Sequence, residues 1–265
     1  MKRTAVGCNL RAMAALLSLL AVGTPSWAAE EGVPNGIVTF TFDDASRGQY
    51  EFGLSIAEAH GVTGTLFVPT GLIAPTSSSA LDGWTMNEEE VRAFVAAGWE
   101  LGAHGDTHRR LTELDGEERT GEIVRPIAAI EEWAGTKPVS FSSPFGAFDD
   151  STIAEIMEHY RYQLSWKGHG GRNPIGAIDQ NYIGRFEITR ETSSETVCGE
   201  MVRAALNHVW LVLLVHDIVE ENPDVSQISA RHFEEVVACA DLLADKGVVR
   251  ILTIRDAMGE IEAKG

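Results

Sequence analysis

Short apolar runs alternate along the chain with longer segments whose apolar residues recur at helical spacing. In the segment Glu117–Ala134, for example, Ile123, Ile127 and Ile130 fall on one helix face. The strand-like runs are Ile37–Phe42, Thr65–Pro69, Trp99–His104, Val139–Ser143, Tyr162–Trp166, Tyr182–Ile188, Trp210–His216 and Val249–Thr253. The helical segments are Tyr50–His60, Glu88–Ala97, Glu117–Ala134, Ser151–Tyr160, Glu195–His208 and Ala230–Asp245. This alternation predicts a parallel sheet, and about eight strands predict its closure into a (β/α) barrel forming one domain, with Gly168–Gly176 as a loop.

The first 28 residues have the pattern of an export signal. Lys2, Arg3 and Arg11 are basic, Ala12–Val22 is apolar, and Ser26-Trp27-Ala28 places small residues at both key positions of a cleavage site. A retained membrane anchor is the alternative, but the apolar run is shorter than the roughly 20 residues that span a bilayer. The expected mature chain is 29–265, a single catalytic domain located in the periplasm or secreted.

The net charge of the chain limits which kinds of partner are expected. The chain carries 39 acidic and 21 basic residues, for a formal net charge of −18. Such a surface repels phosphate backbones, so a nucleic acid partner is not expected. After residue 28 no apolar run is long enough to cross a membrane.

Two cysteines, Cys198 and Cys239, follow the predicted export signal. In an oxidising compartment they can pair in only one way. Both lie in helical segments, where buried free thiols are common, and a disulfide requires a Cα separation that a sequence does not supply. Buried free thiols are the favoured expectation, and a disulfide is the alternative.

Charged and titratable residues follow several predicted strands at the point where each strand ends. Asp43 and Asp44 follow the first strand, His104 ends the third with His108 four residues later, and His216 ends the seventh. In a parallel barrel these strand ends share one rim, where active sites lie. Singly, each residue is explained by a helix cap or a hydrogen-bonded core histidine. Together, two histidines and a carboxylate form a common zinc ligand set, with a second carboxylate left as a base and a further histidine as an acid.

Four segments in this order and spacing resemble the motifs of the polysaccharide deacetylases, also called carbohydrate esterase family four or the NodB homology domain. The segments are Thr41-Phe42-Asp43-Asp44, His104-x-x-x-His108, Ser143-Pro144-Phe145-Gly146 and Leu213-Leu214-Val215-His216. The resemblance extends from about Gly36 to Ala257. It implies a distorted (β/α) barrel of seven or eight parallel strands.

The resemblance also implies a role for each polar residue. Asp43 becomes the general base and His216 the general acid. Asp44, His104 and His108 become the ligands of one divalent metal ion, and zinc is expected because mixed carboxylate and imidazole ligands suit it.

The same resemblance implies how substrate is held. Pro144 and Phe145 are expected to shape the binding groove, with the Phe145 backbone N–H facing the developing oxyanion. Either Leu213 or Leu214 is expected to line the pocket for the acetyl methyl group. Trp166, at the end of the fifth strand, is either a hydrophobic wall of the site or a core residue.

One departure from the family pattern concerns the base. The family often carries an arginine before the Pro-aromatic pair, and that position is Ser142 here. Arg185, on the predicted strand Tyr182–Ile188, is the expected substitute and is predicted to lie about 2.7–3.2 Å from the Asp43 carboxylate. The alternative is a solvent-facing Arg185 in a surface salt bridge.

Two further departures concern neighbouring groups. Gly105 occupies a position where Ser or Thr commonly steadies the metal loop, so Asp106 or Thr107 is expected to take over that role. The family's Asp–Trp motif, which supports the acid, is not evident.

The resemblance thus implies hydrolytic N-deacetylation of an N-acetylated glycan by metal-activated water. The alternatives are an O-acetyl esterase acting on a xylan-type polysaccharide, a deacylase of a small amide, and an exported glycan-binding barrel without catalysis. A purely structural metal site would require four protein ligands, and only three are visible.

Overall fold

Both the alternation of elements and their order agree with the prediction. The computed structural model describes residues 36–76, 83–165 and 169–263, so the predicted export signal and Trp166 lie outside the described residues. The strands are β1 Gly36–Phe42, β2 Gly64–Val68, β3 Glu100–Ala103, β4 Ser140–Ser142, β5 Tyr162–Ser165, β6 Arg172–Pro174, β7 Ile183–Gly184, β8 Phe186–Glu187, β9 Val209–Val215, β10 Asp217–Val219, β11 Gln227–Ser229 and β12 Val249–Ile251. The helices are α1 Ser55–Ala59, α2 Glu88–Ala96, α3 Gly116–Ala134, α4 Asp150–Met157, α5 Ser194–Asn207, α6 Ala230–Asp245 and α7 Ile254–Glu262, and a π-helical turn, Gln49–Leu54, leads into α1. Among the described residues, no helix is long and apolar enough to cross a membrane.

The principal sheet is a nearly closed barrel of mostly parallel strands. Its strand order runs β9-β1-β2-β3-β4-β5-β7, and β8 returns to pair with β9. The predicted distorted (β/α) barrel is therefore confirmed, with all of its described residues in one compact unit, Pro34–Gly265. The eighth predicted strand, β12, pairs only with the first half of β1 and does not reach the mouth of the barrel.

Side chains of β1 alternate between the inside of the barrel and the layer beneath the helices. Phe40 and Phe42 pack in the larger apolar cluster, where Phe233 of α6 contacts both rings. Thr39 and Thr41 are buried on the opposite face and bond to β9 through their hydroxyl groups. Because successive residues of a strand point to opposite faces, this pattern aims the next residue, Asp43, into the mouth of the barrel.

The predicted strand Tyr182–Ile188 is broken at Arg185. Its first part, β7, pairs with β5, whereas its second part, β8, pairs with β9. The single segment therefore bridges the two edges of the sheet. The predicted loop Gly168–Gly176 is wrong in part, because it contains β6, which pairs antiparallel with the first half of β9.

Cys198 of α5 and Cys239 of α6 form a disulfide, with their Cα atoms 5.9 Å apart. The favoured expectation of free thiols was wrong. The two cysteines face each other because α5 and α6 pack side by side on the barrel, and only the tertiary structure supplies this proximity.

We expect reduction of this disulfide to lower the free energy of unfolding by about 2–4 kcal/mol, since the bond closes a loop across 41 residues of the unfolded chain. Chemical denaturation with and without reductant measures the difference. The double variant Cys198→Ala, Cys239→Ala is the control, because reductant should not change its midpoint. Equal midpoints for the oxidised and reduced protein would contradict the prediction.

Candidate functional site

A pocket at the mouth of the barrel collects most of the predicted site residues. Its volume is about 270 Å³. The residues that line it are Asp43, Asp44, His104, His108, Ser143, Phe145, Gly146, Arg185, Glu187, Leu214 and His216. They come from the carboxyl ends of β1, β3, β4 and β9 and from the broken strand.

Asp44, His104 and His108 form a cluster suited to a metal ion. The Asp44 Oδ1 atom lies 3.2 Å from the His104 Nε2 atom and 3.0 Å from the His108 Nε2 atom. One ligand atom from each residue lies within 4.8 Å of the others. The His104 Nδ1 atom is 2.7 Å from the Ser142 carbonyl oxygen, which fixes the tautomer that leaves Nε2 free to bind a metal. One carboxylate and two imidazoles that converge in this way fit a divalent ion such as zinc.

The backbone at this site adopts conformations that side chains rarely favour. Asp44, His108 and Phe145 have φ angles of 73°, 58° and 58°. Left-handed backbone at residues other than glycine costs free energy and persists where surrounding structure enforces it. Here it turns Asp44, His108 and Phe145 towards the same pocket.

Glu122, a buried residue of α3, holds the loop between the two histidines. Its Oε2 atom accepts hydrogen bonds from the Asp106 and Thr107 amides at 3.0 and 2.9 Å, and the Thr107 hydroxyl donates to its Oε1 atom. A Cβ atom on Gly105 would lie 2.9 Å from the Glu122 Oε2 atom, and Gly105 has a φ angle of 74°. Glycine is therefore favoured where the family commonly has Ser or Thr. Thr107 contributes as predicted, but the sequence did not indicate Glu122.

Asp43 is fully surrounded by partners that stabilise its ionised form. Arg185 donates from Nη1 to Oδ1 at 2.7 Å and from Nη2 to Oδ2 at 2.9 Å, and the Ser142 hydroxyl donates to Oδ2 at 3.0 Å. Burial by itself would raise the pKa of Asp43, but the Arg185 guanidinium and then His104 lower it below its ordinary value. The predicted contact between Arg185 and Asp43 is present, and Ser142, at the position where the family often has an arginine, hydrogen-bonds to both residues.

His216 has a carboxylate partner that the sequence reasoning missed. Its Nδ1 atom lies 3.2 Å from the Glu187 Oε1 atom. Burial alone would lower the pKa of His216, but Glu187 and then Asp43 and Asp44 raise it above its ordinary value. A strand pattern could have found this partner, because Glu187 follows Arg185 by two residues and therefore shares its face.

The predicted substrate-contacting residues divide into two groups. Leu214 and Phe145 line the pocket, and the half-exposed Phe145 ring lies between the His108 ring, at 4.5 Å, and the Arg110 guanidinium, 4.3 Å from the ring centroid. Leu213 is in the apolar cluster beneath the helices, because it points to the opposite face of β9 from Leu214. Pro144 is buried and is not among the residues that line the pocket; it packs near Gly105 instead.

Comparison with known proteins identifies the family. The family model described as polysaccharide deacetylase matches residues 30–164, just over half of the chain. The chain belongs to the polysaccharide deacetylase family. The match includes the metal-site cluster and Phe145 but ends before Arg185, Glu187 and His216.

Individual relatives are more distant. A peptidoglycan deacetylase-like protein of Gibberella zeae is 31% identical over 30% of this chain and 24% of its own length. A peptidoglycan deacetylase of Helicobacter pylori is 23% identical over 46% of this chain and 41% of its own length. The chain thus matches only 24% and 41% of the lengths of these two curated relatives. A peptidoglycan deacetylase structure from Bacillus subtilis, a mutant, has a TM-score of 0.55 at 17% identity and covers 86% of this chain and 92% of that one, which supports the fold.

We expect the purified protein to retain one divalent ion per chain. The double variant His104→Ala, His108→Ala should lose that ion, with affinity lowered by more than about 100-fold, since changes outside the ligand shell alone cost about 10–100-fold. Elemental analysis and metal titration measure both values. His60→Ala is the matched control, because His60 pairs with Asp241 away from the pocket. Stoichiometric metal in the double variant would refute this ligand set.

Proposed function

We propose that the protein is a metal-dependent hydrolase that removes acetyl groups from the amide nitrogen of an N-acetylated glycan. The observation that supports it most is the placement of a buried, arginine-bound Asp43 and of His216, with the Glu187 carboxylate 3.2 Å from its Nδ1 atom, on the same pocket as a convergent metal-ligand set. That arrangement pairs a base with an acid across one cavity, as hydrolysis of an amide requires.

Asp44, His104 and His108 would hold the ion, for which zinc is our proposal. When bound, a divalent ion polarises a carbonyl group and lowers the pKa of a water molecule from 15.7 to about 7. The imidazole ring of His104 is kept in the metal-binding tautomer by the Ser142 carbonyl.

Asp43 would accept the proton of the attacking water. An amide carbonyl is a weak electrophile, so the attacking oxygen must be deprotonated as it approaches. Arg185 acts as a positioning residue: its two hydrogen bonds fix the plane of the Asp43 carboxylate and keep it ionised at neutral pH. The Phe145 N–H would donate to the developing oxyanion, and its left-handed backbone conformation serves that orientation.

His216 would donate a proton to the departing amine. An amine leaves poorly as an anion, so protonation of the nitrogen is needed when the C–N bond breaks. Glu187 acts as a positioning residue: its carboxylate lies 3.2 Å from Nδ1 and raises the pKa of His216, which keeps the donor protonated. Leu214 on the pocket wall would contact the acetyl methyl group.

The proposed substrate is an N-acetylglucosamine-containing polymer or oligomer outside the cytoplasm. Two curated relatives carry the name peptidoglycan deacetylase or peptidoglycan deacetylase-like protein, which places peptidoglycan among the first glycans to test. A net charge of −18 suits a neutral or cationic glycan. Export by the segment 1–28 remains part of this proposal.

The test is acetate release from a panel of glycans with and without a chelator. The panel comprises chitooligosaccharides, β-1,6-linked N-acetylglucosamine, peptidoglycan and acetylxylan. We expect acetate from at least one N-acetylated glycan, lost with chelator and restored by a divalent ion. Release from acetylxylan alone would favour the O-acetyl esterase, and no release from any glycan would contradict the proposal.

Asp43→Asn tests the division of roles between the two aspartates. The variant should keep its metal, because Asp43 is not a ligand, while its turnover falls by about 10²–10⁴-fold, the usual contribution of a general base. Turnover is measured by acetate release at neutral pH alongside metal content. Near-normal turnover would mean that another residue accepts the proton.

Glu187→Gln tests the proposed role of His216 as the general acid. The amide keeps a similar shape but removes the negative charge that raises the pKa of His216, so this pKa should fall. A general acid acts only when protonated, and the alkaline limb of the profile of kcat/KM against pH should therefore move to lower pH. Activity at the acidic end should change little. An unmoved alkaline limb would exclude His216 as the titrating acid.

A further inference from the structure

The break in the strand at Arg185 leaves an incomplete barrel wall. β7 pairs with β5 and β8 pairs with β9, so the first half of β9 has no main-chain pairing with β7. β6 pairs with that half of β9 instead and runs antiparallel to it. Closure of the barrel beside Arg185 thus depends on what connects β6 to β7.

The side chain of Asn173, on β6, makes this connection. Its Oδ1 atom accepts the Gly184 amide hydrogen at 2.9 Å, and its Nδ2 atom donates to the Gly184 carbonyl oxygen at 2.9 Å. This reciprocal pair uses both polar backbone groups of Gly184, as a neighbouring strand would. The Nδ2 atom also lies 3.2 Å from the Trp210 carbonyl oxygen of β9. Asn173 is 5% exposed, so water does not compete for these bonds.

The backbone next to Asn173 is packed against the second half of the broken strand. Gly171 has a φ angle of 74°, and a Cβ atom there would lie 2.3 Å from the Phe186 nitrogen and 2.8 Å from the Val212 carbonyl oxygen. β6 and the turn before it therefore contact both sides of the break, at Gly184 and at Phe186.

We propose that Asn173 is a positioning residue for the reaction, acting through the broken strand. Asn173 binds both the N–H and the carbonyl oxygen of Gly184, which directly precedes Arg185. Glu187 lies two residues after Arg185 and on the same face. One amide side chain thereby fixes the segment that orients both Asp43 and His216. This inference rests on the proposed function.

The experiment compares Asn173→Ala with Thr39→Val. The Thr39 hydroxyl accepts the Trp210 indole N–H at 2.9 Å, so the control also removes a buried hydrogen bond to Trp210 but leaves β7 untouched. We expect Asn173→Ala to lower kcat by about 10- to 100-fold, since small misplacements of catalytic groups cost that much. KM and metal content should change little, and Thr39→Val should keep kcat. Wild-type kcat in Asn173→Ala, or an equal loss in Thr39→Val, would overturn the proposal.

A double-mutant cycle tests whether Asn173 acts through Arg185. If it does, Asn173→Ala should cost less in the Arg185→Lys background than in the wild type, because the effects of coupled residues do not add. A loss that is unchanged in that background would contradict the proposal.

Asn173→Asp provides a conservative variant that supports the same comparison if the alanine variant does not fold. A protonated carboxyl group keeps one donor and one acceptor, whereas a carboxylate has no donor for the Gly184 carbonyl. Its kcat relative to wild type should therefore fall as the pH rises. A ratio independent of pH would count against the reciprocal pair.

Hydrogen exchange separates this inference from the proposed function. Asn173→Ala should accelerate amide exchange from Ile183 to Ile188, whereas Thr39→Val should not. If the wild type releases no acetate from any glycan, the proposed function fails while the exchange comparison still decides whether Asn173 holds the strand. Unchanged exchange across this segment in Asn173→Ala would show that it does not.

Discussion

The buried pair between Asp43 and Arg185 is the interaction on which the rest of the site depends. Asp43 is 2% exposed and Arg185 is 4% exposed. An isolated carboxylate at such a depth would take up a proton and could no longer act as a base, so the guanidinium has to be present in the correct geometry. Removing one partner of a buried pair typically costs about 3–5 kcal/mol. The chain must therefore place an arginine at this depth.

Placing it there has a structural consequence. Arg185 reaches Asp43 from the segment that bridges β5 and β9, and this segment leaves the first sheet edge and joins the second at Arg185. The same segment places Glu187 against His216. Supporting groups for the proposed base, Asp43, and for the proposed acid, His216, thus come from a single short segment, whereas Ser142 stands at the position in which the family often has its arginine.

The loop between His104 and His108, two of the proposed metal ligands, illustrates a second constraint. His108 and Asp44 adopt left-handed backbone conformations, and the loop between the histidines is held by a buried carboxylate, Glu122, rather than by its own side chains alone. Gly105 is the residue that leaves room for that carboxylate. Hydrogen bonds to Glu122 of α3 thus help to hold the unfavourable backbone conformation of this loop. Helix α3 is distant in sequence from β1, which precedes Asp44.

The sequence by itself determined the architecture and the identity of the convergent polar residues. Hydrophobic periodicity is local, so β1 and the helical segment Glu117–Ala134 could be read directly, and the rule that carboxyl ends of parallel strands share a rim brought Asp43 and His216 together. The contact of Arg185 with Asp43 was predicted from the arginine missing before Pro144, because a guanidinium is expected to orient the proposed base.

Only the tertiary structure decided which residues surround those groups. Glu122 and Asn173 act across separations of 11 to 37 residues, through contacts that no local pattern encodes. The Cys198–Cys239 disulfide required the packing of two helices, and Leu214 rather than Leu213 reaches the pocket because strand register decides which face is inside. Periodicity specifies the elements; the distances between their side chains arise when the barrel closes.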